Sequence, residues 1–115
     1  MKMTPLVVAR TAGKLALSKK GYDVKILKLK GLSSICDYFV IVSGNVDVHV
    51  QAIAESIFDG LNKKGVKPWQ KEGTKGGSWI LLDYVDVVVH IFKESTREFY
   101  ALEKLWGDAP VETIK

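Results

Sequence analysis

The chain has 115 residues and a mass of 12.8 kDa, with 47% hydrophobic and 26% charged residues. This composition is that of an ordinary globule and excludes a mainly disordered, a collagen-like or a disulfide-built chain. A chain of this length can bury a core by itself, so we expect one domain over residues 1–115. No apolar run reaches the length of a membrane span and the N-terminus lacks a signal-peptide pattern, which predicts a cytoplasmic protein without a membrane partner.

The net charge is +4, from 17 Lys and Arg residues against 13 Asp and Glu residues. An excess of positive charge favours an anionic neighbour such as nucleic acid or a ribonucleoprotein. Only two of the basic residues are arginines, and sequence-specific base reading depends on the two-pronged contacts of arginine. We therefore do not expect a reader of base sequence.

The first third of the chain predicts one helix and two strands. Thr4 followed by proline is a typical start of a helix, and small and apolar residues recur at helical spacing until Gly21. Residues 22–29 form a β-rich run with lysines scattered through it, as is typical of an edge strand. Residues 38–43 form a continuous apolar run, which predicts a buried strand.

The middle of the chain contains the clearest amphipathic pattern. Asp47 is placed to cap a helix that ends at Gly65. The apolar residues at helical spacing in this segment are Val50, Ile53, Ala54, Ile57, Phe58 and Leu61. A short strand is predicted within residues 66–72.

The last third predicts a hairpin and a final helix. Two apolar runs, 78–84 and 85–92, follow each other closely, as the strands of a hairpin do. Ser95 is placed to cap a helix that ends at Gly107. The side chains predicted to face the core from this helix are Phe99, Leu102 and either Leu105 or Trp106. The resulting order, α-β-β-α-β-β-β-α, predicts an αβα layered domain with a mixed, five-stranded sheet.

Three carboxylates raise the question of catalysis: Asp37 precedes a strand, and Asp83 and Asp86 stand in the hairpin. Paired carboxylates hold Mg²⁺ in nucleotidyl-transfer enzymes, where glycines let the backbone approach a phosphate. The alternative interpretation is that Asp83 and Asp86 are turn residues. The transferase signature requires a Gly-Ser pair and two carboxylates one residue apart on a strand, and the sequence has neither. A metal-dependent nucleotidyl transferase remains the alternative prediction.

The other reactive side chains give weaker signals. His90 lies in an apolar run far from His49, and no spacing typical of a metal site is present. A core histidine with backbone or carboxylate partners is the simpler prediction. Cys36 has no histidine at a recognisable offset, which favours a buried structural thiol over a nucleophile.

Aromatic residues interleaved with charges are concentrated in the second half of the chain. They favour a protein interface, although core packing and a platform for RNA stacking are open alternatives. Trp79 and Tyr84 occupy opposite faces of a regular strand, but both stand near its ends, where rings can leave the sheet. We predict one partner-binding patch in which both rings are partly exposed, with Tyr100 on its flank. The full set of predicted partner-binding residues is Glu72, Lys75, Trp79, Tyr84 and Tyr100.

The sequence resembles that of a known family over about residues 5 to 108. The stretches that carry the resemblance are SSICDYFVI at 33–41, SGN at 43–45, EG at 72–73, WILLDY at 79–84, DVVVH at 86–90, and Arg97, Tyr100 and LEKLW at 102–106. In order and spacing they are similar to the ribosomal silencing factors, also called Iojap-like proteins.

The resemblance implies a nucleotidyltransferase-like topology without catalytic residues, metal or cofactor. It implies binding to the large ribosomal subunit through large-subunit protein fourteen on the intersubunit face. This binding would block subunit joining and repress translation when nutrients are short, and organellar relatives are associated with large-subunit assembly. An rRNA contact, a homodimer of the free protein and a general RNA-binding module are left open.

Three positions depart from the family's pattern: Cys36 replaces the usual Thr, Val46 the usual Ser, and Val85 a common Gly. A β-branched residue resists a positive φ angle, so we expect the turn at Tyr84 and Val85 to be of a different type or to contain a bulge.

Overall fold

The computed structural model describes residues 3–73 and 77–115, except for the side chains of residues 98–100 and 102. The described residues form four helices: α1 (Pro5–Ser18), α2 (Asp47–Lys63), α3 (Glu94–Tyr100) and α4 (Leu102–Leu105). They also form six strands: β1 (Tyr22–Lys28), β2 (Tyr38–Gly44), β3 (Gln70–Glu72), β4 (Trp79–Asp83), β5 (Val87–Lys93) and β6 (Val111–Thr113).

The strands of the described chain form one mixed sheet in the order β3-β4-β5-β2-β1-β6. The central pair β2 and β5 is parallel, and every other neighbouring pair is antiparallel. The sheet has six strands rather than the predicted five, because Val111–Thr113 pairs with β1. Since β6 covers it, β1 is not the edge strand that its lysines predicted.

The two long helices agree with the periodicity of the sequence. Helix α1 begins as predicted, with Thr4 Oγ1 accepting a hydrogen bond from the Val7 N–H at 3.3 Å. Helix α2 begins at Asp47, and Val46 occupies the cap position that was predicted for Asp47. The aspartate therefore acts as an acidic residue of the first turn, where negative charge complements the helix dipole.

The predicted final helix is divided in two. Ala101 adopts a φ of 48°, which ends α3 and starts the one-turn helix α4. Ser95 lies inside α3 and Lys93 is at the cap position, so the predicted cap was wrong. Leu105 is 72% exposed, whereas Trp106 packs against the core. Of the two residues predicted as alternatives for the core position at this end of the helix, Trp106 is therefore the one that faces the core.

The sheet is packed on both faces, but unequally. Helices α1 and α2 cover one face and bury the larger part of the core, including Ile53, Ile57, Ile80 and Leu82. The second face has a smaller buried cluster, made of Leu27, Leu29, Cys36, Ile41, Val88, Phe92 and Ala109. Helix α3 and the segment around Trp106 cover this face in part, which completes the predicted αβα layers. Within the described residues, no helix combines the length and the hydropathy needed to cross a bilayer.

Candidate functional site

The second face of the sheet carries a group of rings that the fold covers only partly. Residues alternate between the faces of a strand, so Trp79, Leu81 and Asp83 of β4 project to this face. Ile80 and Leu82 project to the opposite face and pack beneath the helices. Trp79 and Leu81 remain half-buried and join the smaller core cluster. We call the side chains of Phe39, Trp79, Leu81, His90 and Phe92 the aromatic face.

The rings of the aromatic face contact one another directly. Trp79 stacks on Phe92 with 4.9 Å between ring centroids, and Phe39 meets His90 edge-on at 4.6 Å. Trp106 approaches Phe39 edge-on at 6.3 Å. Stacked and edge-on geometries of this kind are favourable for aromatic pairs and fix the ring orientations. Because Phe39, Trp79 and Trp106 are all half-buried, the face presents rigid apolar surface to the outside.

His90 is the polar centre of this face and is 4% exposed. Its Nδ1 accepts a hydrogen bond from Trp79 Nε1 at 3.2 Å, while its Nε2 is buried without a partner among the described residues. Burial lowers the pKa of His90 to about 4, because the charged imidazolium would lose its hydration. The prediction of a core histidine is confirmed, but its partner is an indole ring rather than a backbone group or a carboxylate.

Glu72 lies beside the aromatic face on the neighbouring strand. It stands opposite Leu81 in the β3–β4 pairing, and residues directly opposite each other project to the same face. Lys71, one position earlier, projects to the helix side, where its ammonium lies 4.0 Å from the centroid of the Phe58 ring. Two of the predicted partner-binding residues, Glu72 and Trp79, are therefore on one face.

Tyr84 does not belong to this face. Its ring packs against the core beneath the helices and lines a groove with Met3, Val8 and Val66. The hydroxyl is buried without a hydrogen-bond partner in the described structure, and burial raises the pKa of Tyr84 to about 12. Both rings are partly exposed, but the predicted single patch of Trp79 and Tyr84 is wrong. The alternation of β4 continues through Tyr84 and places the two rings on opposite faces.

The remaining predicted binding residues cannot be placed in the same way. Lys75 lies outside the described residues, and so does the side chain of Tyr100, although its backbone ends helix α3. Phe39 and Leu81, which belong to the aromatic face, were not among the predicted binding residues. The alternating pattern of β4 was the signal that could have identified Leu81.

Asp83 and Asp86 make turn contacts at the end of the hairpin, the first through its carboxylate and the second through its backbone carbonyl. Asp83 Oδ1 accepts a hydrogen bond from the Val85 N–H at 2.8 Å, and the Asp86 carbonyl accepts one from the Asp37 N–H at 2.8 Å. Over the described part of the chain, no three His, Cys, Asp or Glu side chains are grouped to hold a metal ion. The interpretation of Asp83 as a turn residue is confirmed.

Val85 adopts a φ of 73° in this turn, contrary to the prediction that the valine would avoid a positive φ. Asp86 N–H donates to the Tyr84 carbonyl at 3.0 Å across the valine, and the Tyr84 N–H donates to the Val87 carbonyl at 2.8 Å. These two bonds and the Asp83 contact hold the valine in a conformation that its branched side chain disfavours.

Cys36 is buried in the smaller core cluster, as predicted for a structural thiol. Burial, together with the negative charges of Asp37 and Asp83, raises the pKa of Cys36 to about 11. A thiol with a raised pKa is mostly protonated at neutral pH and reacts poorly as a nucleophile.

Arg97 has a structural role that the sequence motifs did not predict. Its guanidinium is buried and donates from Nη1 to the Asp23 carbonyl at 2.6 Å and to Ser43 Oγ at 2.7 Å. Its Nε donates to Glu103 Oε1 at 2.9 Å, and this contact lowers the pKa of Glu103. Arg97 thus connects α3 and α4 to strands β1 and β2 beside the aromatic face.

Comparison with known proteins identifies the family. The family model described as "Ribosomal silencing factor during starvation" matches residues 2–115. The chain belongs to the ribosomal silencing factor family. The ribosomal silencing factor RsfS of Bacillus subtilis is 44% identical over 96 residues, which cover 84% of this chain and 81% of the relative. The chloroplastic protein Iojap of Zea mays is 34% identical over 108 residues, which cover 93% of this chain and 47% of that longer protein.

Two solved structures support this membership of the ribosomal silencing factors. A protein of Chromobacterium violaceum superposes with a TM-score of 0.88 at 31% sequence identity, covering 91% of this chain and 88% of that one. A protein of Bacillus halodurans superposes with a TM-score of 0.79 at 37% identity, covering 90% of this chain and 93% of that one. A mouse relative, 32% identical over 87 residues that cover 73% of this chain and 38% of that protein, is named for mitochondrial assembly of the ribosomal large subunit. The resemblance inferred from the motifs is confirmed.

Proposed function

We propose that the protein binds the large ribosomal subunit through large-subunit protein fourteen and thereby prevents the small subunit from joining. Membership of the ribosomal silencing factor family is the observation that carries this proposal. The family name describes a regulatory function, and the proposed action requires binding without catalysis. We place this action in the cytoplasm, where the two subunits meet.

The aromatic face is the surface that we propose for this contact. Trp79, Leu81 and Phe39 are half-buried, and they stand on a sheet whose strands fix their positions. Tryptophan and other large rings supply most of the binding energy in many protein interfaces, because they bury much surface at little cost in conformational entropy. Glu72 lies at the edge of the same face and supplies a charge that can fix the orientation of the partner.

The proposed mechanism is steric. The molecule measures 33 × 33 × 26 Å along its principal axes. Subunit joining requires two extended surfaces to meet, so a body of this thickness held at one point of the large subunit keeps them apart. Repression then depends only on the affinity for the large subunit and on the concentration of the protein.

Co-sedimentation with isolated ribosomal subunits in a sucrose gradient tests the proposal. We expect the protein in the large-subunit fraction, absence from the small-subunit fraction, and less joining of the two subunits when it is added in excess. Equal recovery with both subunits, or unchanged joining at saturating protein, would refute the proposal.

Two variants test the proposed surface. Trp79→Ala and Leu81→Ala remove side chains of the aromatic face, and Val48→Ala removes an equally apolar, exposed side chain from α2 on the other side of the sheet. Truncation of an interface hot-spot residue to alanine typically costs about 2 kcal/mol or more, which corresponds to a roughly thirtyfold loss of affinity. We expect this loss for Trp79→Ala, a smaller loss for Leu81→Ala and none for Val48→Ala. If the Trp79→Ala protein is folded and binds like the parent, the contact must lie on another surface.

A further inference from the structure

Three large apolar side chains are exposed together at the end of the sheet where the hairpin turns. Ile35 is 83% exposed, Trp69 is 73% exposed and Val85 is 57% exposed. They line one concavity of about 230 Å³, together with Asp83 and Val88. We call these five residues the sheet-end patch. Single exposed apolar residues are common, but three around one depression are typical of a binding surface.

The main-chain positions around the patch are fixed by hydrogen bonds. The Trp69 N–H donates to the Asp83 carbonyl at 2.7 Å, and the Asp37 N–H donates to the Asp86 carbonyl at 2.8 Å. The first bond ties the tryptophan to β4, and the second ties the segment after Ile35 to the hairpin turn. The patch is therefore assembled before a partner arrives, which reduces the entropy lost on binding.

The charge of the patch indicates what it binds. Asp83 is the only charged residue among the described residues that line the concavity, and the backbone bond described above holds Asp37 at the hairpin turn beside it. Asp86 lines the separate groove beneath Tyr84. The lysines nearest to Trp69 on its N-terminal side, Lys64 and Lys67, line the separate groove beneath Tyr84. Although the whole chain has a net charge of +4, this end therefore attracts cations and repels phosphate groups.

We propose that the sheet-end patch docks a basic protein segment that presents one large apolar side chain next to lysine or arginine. The apolar side chain fills the concavity between Ile35 and Trp69. The neighbouring cation lies beside Asp83, where it also meets the face of the exposed indole. A concavity of this size takes one side chain rather than a nucleotide or a cofactor.

Two other occupants are less compatible with the patch. RNA would bring phosphates against the carboxylates, which costs free energy. A second copy of this chain, joined by a two-fold axis through the patch, would place the same carboxylates opposite each other. The sheet-end patch borders the aromatic face, because Val88 pairs with Phe39 and belongs to the same core cluster as Trp79 and Leu81. The proposal therefore rests on the proposed function and extends its contact surface, but the peptide test uses no ribosomes, so its failure is distinguishable from a failure of large-subunit binding.

The test is a titration of the ¹⁵N-labelled full chain with short peptides, followed by NMR. The probe is the peptide Lys-Lys-Phe-Lys-Lys, and the matched peptides are Lys-Lys-Gly-Lys-Lys, without the apolar side chain, and Glu-Glu-Phe-Glu-Glu, with reversed charge. We expect saturable shifts of the Trp69 indole and of the amides of Ile35 and Val85 with the probe. The glycine and glutamate peptides are expected to bind at least tenfold more weakly.

Three variants connect these shifts to the patch. Trp69→Ser should weaken binding of the probe about tenfold. Asp83→Asn keeps an oxygen for the Val85 N–H but removes the charge, and should weaken binding about threefold with a smaller dependence on salt. Val48→Ser, at an exposed position of α2, should leave binding unchanged. The amide spectra of the variants report whether each is folded.

Each contrary result overturns the proposal. Absence of saturable shifts at the patch, or equal binding of the three peptides, would show that it does not select a basic apolar segment. Shifts of the same amides on addition of a single-stranded RNA oligonucleotide would assign the patch to RNA. Shifts that grow with protein concentration alone would assign it to self-association.

Discussion

Trp79 donates its indole N–H to His90 Nδ1 over 3.2 Å, so the neutral imidazole carries its own proton on Nε2. That Nε2 is buried, and no acceptor for it lies within the described residues. Protonation of Nδ1 would remove the acceptor of Trp79 and place a charge inside an apolar cluster. The pair therefore makes the packing of the aromatic face sensitive to pH.

We expect the protein to lose stability as the pH falls from 6.5 towards 4. The pKa of His90 is lowered from 6.5 to about 4 in the folded protein, so between these values the unfolded chain binds a proton that the folded chain does not. Stability from this group is fully present above pH 6.5 and is lost progressively down to about pH 4. The lowered pKa corresponds to roughly 3 kcal/mol. Urea unfolding at pH 7, 6 and 5 measures the effect.

His90→Leu serves as the control for this prediction. Leucine keeps apolar volume at the site but cannot bind a proton, so the variant should show a much flatter dependence of stability between pH 7 and 5. Glu103 and Glu112 have pKa values lowered below 4.5, so they change the stability of the protein only at a lower pH than His90 does. An unchanged slope in His90→Leu would assign the pH dependence to another group.

The two arginines of the chain provide a matched pair for a stability experiment. Arg97 is buried with three hydrogen bonds, whereas Arg10 forms an exposed two-pronged pair with Glu112 at 2.8 and 2.9 Å. Arg97→Ala leaves Ser43 and the Asp23 carbonyl without their donor and should cost about 3 kcal/mol of unfolding free energy. Arg10→Ala should cost far less, because water replaces an exposed ion pair readily. Comparable losses in chemical denaturation would contradict this assignment.

Tyr84→Phe should leave the protein as stable as the parent or raise its stability by up to about 1 kcal/mol. The hydroxyl of Tyr84 is buried without a partner in the described structure, so its removal takes away a desolvated polar group and breaks no hydrogen bond. Thermal melting at neutral pH measures the change. A clear loss of stability would indicate that the hydroxyl is hydrogen-bonded in solution.

Val85→Gly should stabilise the protein by about 1 kcal/mol. A valine at a φ of 73° carries strain that glycine relieves, and this gain exceeds the larger entropy that glycine gives to the unfolded chain. Val48→Gly, at an exposed position of helix α2, should have the opposite sign, because glycine weakens a helix. Urea midpoints of the two variants measure both effects, and a destabilised Val85→Gly would show that the turn tolerates valine without strain.

Long elements, in which the apolar pattern repeats several times, were predictable from the sequence, and short elements were not. Helices α1 and α2 repeat their apolar pattern over several turns, and the family motifs predicted the αβα layers correctly. Strand β6 has three residues, too few to show alternation. The break at Ala101 involves neither glycine nor proline, so no local signal marks it. The error over Tyr84 had another origin, because strict alternation along β4 already placed it opposite Trp79.

The pairing of β1 has a consequence for the order in which the sheet is completed. One side of β1 pairs with β2, which follows soon in the chain. The other side pairs with β6 (Val111–Thr113), which is synthesised much later. During synthesis and early folding, the outer edge of β1 is therefore a free row of backbone donors and acceptors. Lys25 and Lys28 stand on that strand, and charges on an open edge oppose pairing with another chain. These lysines protect an edge that exists only until the fold closes, and afterwards they form ion pairs with Glu103 and Glu112.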